Sequence, residues 1–197
     1  MSERIMLFGG SFNPPHMGHL LMAETASETM QCPVRFVPAA RPPHKDAVID
    51  ASHRVAMVEL AIAGNSRFIL DTTEVDRPGV SYTYETLSAI ADEGQPKPYF
   101  LLGADSLADM DTWHNPRGVL ELCLPVIYRR RPFPEDLVHR LQSKYGLGSV
   151  EWVEGPMLEV SSSMVRERMA KGLSIRYMVP GAVEEYIYRY KLYQEGN

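Results

Sequence analysis

The sequence predicts an α/β fold: a doubly wound, mostly parallel sheet covered on both faces by helices. Three observations predict it. Short apolar runs recur along the chain and alternate with longer segments of helical spacing, the pattern of parallel strands joined by crossover helices. Glycine and proline punctuate the junctions between the two kinds of segment. The composition is that of an ordinary globular chain, with 197 residues, 45% hydrophobic and 23% charged, long enough for one domain with a sizeable core. No composition shift marks a second domain, so residues 1–197 are read as one.

Ile5–Phe8 is an apolar run stopped by Gly9-Gly10, which suits a buried strand entering a turn. After Pro14-Pro15, His16–Met30 places Leu20, Leu21, Ala23 and Ala26 at near-helical spacing. Val34–Val37 is a second strand, followed by the Pro-rich loop Pro38–Lys45. Ser52–Ala63 is an amphipathic helix, with Val55, Val58, Leu60 and Ile62 apolar and Gly64-Asn65 as its stop. Phe68–Leu70 reads as a strand, Tyr82–Ala91 as a helix and Tyr99–Leu102 as a strand. Pro125–Tyr128 is a fifth strand, Glu135–Lys144 a helix and Val150–Val153 a sixth strand. Two C-terminal helices follow, Ser162–Ala170 and Ala182–Tyr193. The order of strands in the sheet is not legible at this level. Ligands in such sheets bind beyond the carboxyl ends of the strands, so the loops that follow strands are where a site is expected.

Charge and cysteine usage narrow the function classes. The net charge of -5 and the absence of a basic stripe argue against a nucleic-acid partner. Phosphate handling would need local positive charge and a small anionic ligand. The longest apolar stretches, such as Tyr99–Ala104 and Val119–Tyr128, are far shorter than a membrane span. The N-terminus lacks a secretory leader, and Cys32 and Cys123 lie in apolar segments without disulfide or metal spacing. They read as packing residues in a reducing compartment, so a cytoplasmic location is expected.

The first strand–helix junction reads Gly9-Gly10-Ser11-Phe12-Asn13-Pro14-Pro15-His16-Met17-Gly18-His19. Glycines there let backbone amides approach a ligand, and a helix N-terminus attracts phosphate through its free N–H groups and dipole. His16 and His19 project from one face of the first turn. Gly18 costs helix stability, about 1 kcal/mol against alanine, which is reasonable where a side chain would collide with a nucleotide. Each feature alone also has a structural reading as a turn, a Pro-set helix start or a packed histidine. Their coincidence at this junction favours phosphate binding. Near the other end, Val160-Ser161-Ser162-Ser163-Met164-Val165-Arg166 opens a helix. One serine would cap it, and three offer more hydroxyls than a cap requires.

Both segments carry a resemblance. The first is similar to the Gly-Gly-Thr-Phe-Asp-Pro-x-His-x-Gly-His signature of the HxGH nucleotidyltransferase superfamily, with Ser11 for Thr and Asn13 for Asp. The second resembles its Ile-Ser-Ser-Thr-x-Ile-Arg signature, with Val160, Ser163 and Val165 as conservative departures. Three further segments resemble the bacterial nicotinate-mononucleotide adenylyltransferases within it. These are Arg41-Pro42-Pro43-His44-Lys45, then Arg77–Leu87 with its Ser81-Tyr82-Thr83, and Leu102-Gly103-Ala104-Asp105 with the downstream Trp113. The closing Val179–Ile187 looks like the family's C-terminal helix. The resemblance thus runs from Arg4 to Ile187 and implies a Rossmann-like fold.

It further implies transfer of AMP from ATP to nicotinate mononucleotide, giving nicotinate adenine dinucleotide and pyrophosphate in NAD biosynthesis. His16, His19 and Arg166 would be the catalytic residues. ATP would be held by Gly9, Gly10, Ser11, Phe12, Gly18, Lys45, Asp105, Ser161, Ser162 and Ser163, with Asp105 on a nucleotide sugar. Asn13, His44, Lys45, Thr83 and Trp113 would meet the mononucleotide, with Trp113 stacked on the pyridine ring. Mg²⁺ is expected as the counter-ion of ATP, and no carboxylate cluster in the sequence reads as a dedicated metal cage. The oligomeric state is not set by the sequence, which leaves room for a homo-oligomer. Runner-up readings are a nicotinamide-mononucleotide or dual-specificity enzyme, or a phosphopantetheine adenylyltransferase or cytidylyltransferase. A class I aminoacyl-tRNA synthetase and a non-catalytic nucleotide sensor stand further off.

Overall fold

The computed structural model describes residues 4–42, 49–77, 79–129 and 135–194. Six strands form one parallel sheet: β1 (Met6–Gly10), β2 (Val34–Pro38), β3 (Phe68–Leu70), β4 (Tyr99–Gly103), β5 (Leu124–Arg129) and β6 (Glu151–Glu154). Their order is β3-β2-β1-β4-β5-β6. The helices are α1 (Met17–Met30), α2 (Ala51–Ile62), α3 (Thr73–Asp76), α4 (Thr83–Asp92), α5 (Ala104–Ala108), α6 (Pro116–Leu122), α7 (Glu135–Tyr145), α8 (Ser162–Ala170) and α9 (Gly181–Arg189). A 3₁₀ turn, Asp109–Thr112, follows α5. Among the described residues no helix is long and apolar enough to cross a membrane.

Strand order decides where a ligand fits. From β1 the chain runs outward to β2 and β3, then returns to place β4 on the other side of β1. The crossovers leave in opposite directions from β1 and β4, so a crevice opens above their carboxyl ends. β1 shows how both faces are covered. Met6 and Phe8 pack with Ala23, Phe36 and Val58 on one side, and Leu7 packs with Leu87, Phe100 and Val119 on the other. A third cluster joins α2 to α8 and α9 through Met57, Val165, Val183 and Ile187. It docks the C-terminal helices against the same end of the sheet.

The elements expected from the sequence are all present, mostly within one or two residues. The exception is the last helix. It ends at Arg189 rather than Tyr193, and the chain then turns through Lys191 and Tyr193 at φ 51° and 63°. Apolar spacing continues through that turn because Leu192 and Tyr193 are buried, so periodicity does not reveal the break. Helices α3, α5 and α6 were not anticipated. They are short, and α6 opens with Asn115 accepting from the Gly118 N–H at 3.1 Å and with Pro116 at its first position. Both cysteines are buried, and desolvation pushes the Cys123 thiol up to about 12.

Among the described residues, one charged side chain is wholly buried. Arg54 of α2 donates from Nη1 to the carbonyls of Ser11 (2.9 Å) and Ala39 (2.6 Å), and from Nη2 to that of Ala40 (2.8 Å). It ties the loop after β1 to the loop after β2, and desolvation lowers its pKa. We expect Arg54→Met to destabilise the fold by roughly 3–5 kcal/mol, because buried carbonyls lose their donors. Thermal denaturation should show Tm lower by about 10 °C. An unchanged Tm would mean that desolving the guanidinium already cancels its bonds.

Candidate active site

A cavity of about 730 Å³ lies in the crevice above β1 and β4. Phe8, Gly9 and Gly10 line it from β1, and Leu101, Leu102 and Gly103 from β4. The loop after β1 then doubles back. Phe12 takes a left-handed φ of 45° and buries its ring edge-on to Phe8, with centroids 5.5 Å apart. Gly10 makes room for this, since a Cβ there would stand 3.2 Å from the Phe12 ring. The Asn13-Pro14 bond is cis.

The loop delivers the two histidines at the start of α1. Their rings are stacked, with centroids 3.6 Å apart, and Phe12 packs edge-on against His19 at 5.2 Å. The His16 backbone N–H donates to His19 Nδ1 at 3.2 Å. A neutral imidazole that accepts at Nδ1 carries its proton on Nε2, so His19 offers an Nε2–H donor. His16 is buried, being only 7% exposed. A Cβ on Gly18 would stand 3.0 Å from His16 Nδ1 and 3.6 Å from the Leu158 carbonyl, so the His16 ring also limits the space there, and Gly18 lines the cavity.

The second serine-rich segment closes onto the first loop. Ser161 caps α8 by accepting from the Met164 N–H at 3.1 Å. Ser162 Oγ donates to the Pro14 carbonyl at 2.9 Å. Arg166 donates from Nη1 to the Asn13 carbonyl at 2.8 Å and from Nη2 to Ser163 Oγ at 3.1 Å. Tyr128 donates to the Pro156 carbonyl at 2.7 Å and so fixes the approach to this segment. Ser161, Ser162, Ser163 and Arg166 all line the cavity, together with Ser11 and Asn13. Two helix N-termini, α1 and α8, therefore flank one space together with a guanidinium and two imidazoles, a ready anion site.

Thr83 and Trp113 line the far side of the same cavity. Trp113 follows the 3₁₀ turn and packs edge-on to Phe100, with centroids 6.0 Å apart, so it is part packing residue and part cavity wall. His44 and Lys45 lie outside the described residues, as does the side chain of Asp105. Gly18, Ser11, Gly9 and Gly10 join the cavity wall, whereas Phe12 is buried at 1% exposure and is not among the lining residues.

Sequence reasoning missed Arg54, Glu74, His114 and Tyr193. Glu74 of α3 is buried against the cavity, and its Oε1 accepts from Thr86 Oγ1 at 2.7 Å. Desolvation raises its pKa, opposed by hydrogen bonds from Thr86 and Ser81 and by Arg77. Ser81 Oγ also accepts from the Ala40 N–H at 2.8 Å, so Glu74 anchors the Ser81–Thr83 segment to the loop after β2. His114 lies over Tyr82, with centroids 4.5 Å apart. A four-residue helix such as α3 leaves no periodic signal, and Tyr193 reads as the end of a continuous helix. Among the described residues, no group of three or more His, Cys, Asp or Glu could hold a metal ion.

Comparison with known proteins places this geometry. The family model for cytidylyltransferase-like proteins matches residues 7–168. A protein of Thermomicrobium roseum named "Probable nicotinate-nucleotide adenylyltransferase" is 39% identical over 98% of this chain and 92% of its own length. A Salinibacter ruber protein of the same name is 40% identical, over 95% of this chain and 96% of its own. Among solved structures, the Plasmodium falciparum nicotinic acid mononucleotide adenylyltransferase complexed with NaAD superposes with a TM-score of 0.82. It covers 97% of both chains at 21% identity, a likeness of fold. The chain belongs to the nicotinate-nucleotide adenylyltransferase family, within the cytidylyltransferase-like proteins.

Proposed function

We propose that this chain, acting as one nucleotidyltransferase domain in the cytoplasm, transfers AMP from ATP to nicotinate mononucleotide. The products are nicotinate adenine dinucleotide and pyrophosphate. The observation that carries the reading is the meeting of the two distant motif loops, through Arg166 on Asn13 and Ser162 on Pro14, around one cavity. An oxygen of the mononucleotide 5′-phosphate attacks the α-phosphorus of ATP, a new P–O bond forms, and the bond to the β-phosphate bridging oxygen breaks. The nucleophile is already an anion at neutral pH, since the second phosphate pKa is about 6, so no general base is required.

The protein's work is to align two repelling anions and to meet charge as it moves onto pyrophosphate. The His19 Nε2–H, the N–H groups opening α1 and α8, and the Arg166 guanidinium are the donors for it. Ser161, Ser162, Ser163 and the glycines Gly9, Gly10 and Gly18 border the triphosphate path, with Ser11, Lys45 and Asp105 assigned to ATP as well. Asn13, His44, Lys45, Thr83 and Trp113 are assigned to the mononucleotide. Mg²⁺ would accompany ATP as its counter-ion and would neutralise phosphate charge, held mainly by the phosphates and water. The deciding experiment is a pyrophosphate-release panel pairing ATP with nicotinate mononucleotide, nicotinamide mononucleotide and phosphopantetheine. Turnover with phosphopantetheine alone would overturn the reading.

The nicotinate form should be preferred. Three carboxylates near this side of the cavity are engaged elsewhere, which leaves Asp109 as the acidic lining residue beside Trp113. Asp111 accepts from Lys144 at 2.9 Å and Tyr145 at 2.5 Å, Glu85 pairs with Arg77 at 3.4 Å, and Glu74 accepts from Thr86. A carboxamide NH₂ facing donors leaves buried groups unpaired, at about 1–3 kcal/mol each, so kcat/KM should favour nicotinate at least about tenfold. A ratio near one would show that the pocket also presents an acceptor.

A further inference from the structure

The chain closes on a turn that buries itself against the first motif. Lys191 and Tyr193 both adopt left-handed backbone angles, which non-glycine residues hold only where their surroundings enforce them. Lys191 is exposed, and for Tyr193 the enforcement is burial, with Leu192 7% and Tyr193 9% exposed. The Tyr193 hydroxyl donates to Asn13 Oδ1 at 2.6 Å, between residues 180 positions apart. Arg166 donates to the main-chain oxygen of the same residue at 2.8 Å. Asn13 is thus gripped at both its carbonyl oxygens.

Asn13 is itself buried, and it follows Phe12, whose backbone is also left-handed. Three residues further on stands His16. Any slack at Asn13 is passed through two prolines directly to the stacked histidines. The phenol is suited to hold it. Burial raises its pKa, so the hydroxyl keeps its proton at neutral pH, and the positive charges of Arg54 and Arg166 act on its oxygen. That arrangement favours the hydrogen pointing at Asn13.

We propose that Tyr193 is a positioning residue for adenylyl transfer. Its hydroxyl, carried by the folded-back C-terminal turn, fixes the Asn13 loop so that His16 and His19 stand in reacting geometry. This rests on the activity proposed above. Small displacements of groups that meet a transition state are felt in the rate of the step more than in substrate binding.

The test is a double-mutant cycle of Tyr193→Phe, Asn13→Ala and both together. Phenylalanine keeps the ring and removes only the donor. At temperatures where circular dichroism shows each variant folded, Tyr193→Phe should lower kcat about tenfold and leave both KM values within about twofold. Adding it to Asn13→Ala should lower kcat no further, because the acceptor is already gone. The imidazole NMR signals of His16 and His19 should move in Tyr193→Phe, a readout independent of turnover. Near-wild-type kcat, an equal loss in both backgrounds, unmoved histidine signals or a variant unable to fold would each overturn the proposal. A wild-type protein that releases no pyrophosphate with any mononucleotide, yet shows the histidine shifts, would sink the activity and leave the positioning contact standing.

Discussion

His16→Ala and His19→Ala are each expected to lower turnover by about 10²-fold or more, the scale for losing one preorganised donor at a developing charge. The two variants should differ in stability. His19 is partly exposed and lines the cavity, so its loss falls on rate. His16 is buried, stacked on His19 and roofed over Gly18, so alanine there also leaves a void and frees the His19 ring to rotate. A lowered Tm should therefore accompany the His16 variant, and its rate must be normalised to the folded fraction. Initial rates of pyrophosphate release at saturating substrates, with melting curves alongside, provide the check. Folded variants that retain near-wild-type turnover would remove both histidines from the reaction.

Arg166→Ala should be comparably severe, about 10²-fold in kcat/KM or more, and the loss should be the same for every mononucleotide. ATP is common to all of them, and Arg166 stands among the serines on the α8 side of the cavity. Arg166→Lys should recover part of the rate only. An ammonium keeps the charge but lacks the planar fork that reaches Asn13 and Ser163 while leaving N–H groups for a phosphate. Trp113→Ala provides the contrast. Ring stacking on a base is worth about 1–3 kcal/mol, so kcat/KM for pyridine mononucleotides should fall roughly 10- to 100-fold with KM for ATP little changed. If Arg166→Ala altered only the preference among mononucleotides, these two roles would have to be exchanged.

Much of this molecule is decided locally, and there the sequence alone is informative. Alternating apolar runs and helical spacings determine the six strands and the larger helices, because period and punctuation are properties of neighbouring residues. The two motif loops are equally legible, since glycine, proline and serine act through backbone geometry at their own positions. Strand order, by contrast, depends on which crossovers pack on which face, and no local pattern encodes it. The crevice between β1 and β4 therefore appears only in the folded chain. The same limit applied to residues whose purpose is a distant partner. Arg54 looks like any helical arginine until its three carbonyl acceptors are assembled from two loops. Glu74 looks like an exposed acid until Thr86 and Ser81 close over it. Gly18 reads as room for a nucleotide, and only the fold adds that the His16 ring lies 3.0 Å from where its side chain would be. Tyr193 reads as the end of a helix, and only the left-handed turn after Arg189 sends its hydroxyl back to Asn13. Sequence determined which groups are present and on which loops. Tertiary structure decided which of them meet, because their meeting is set by packing between segments up to 180 residues apart.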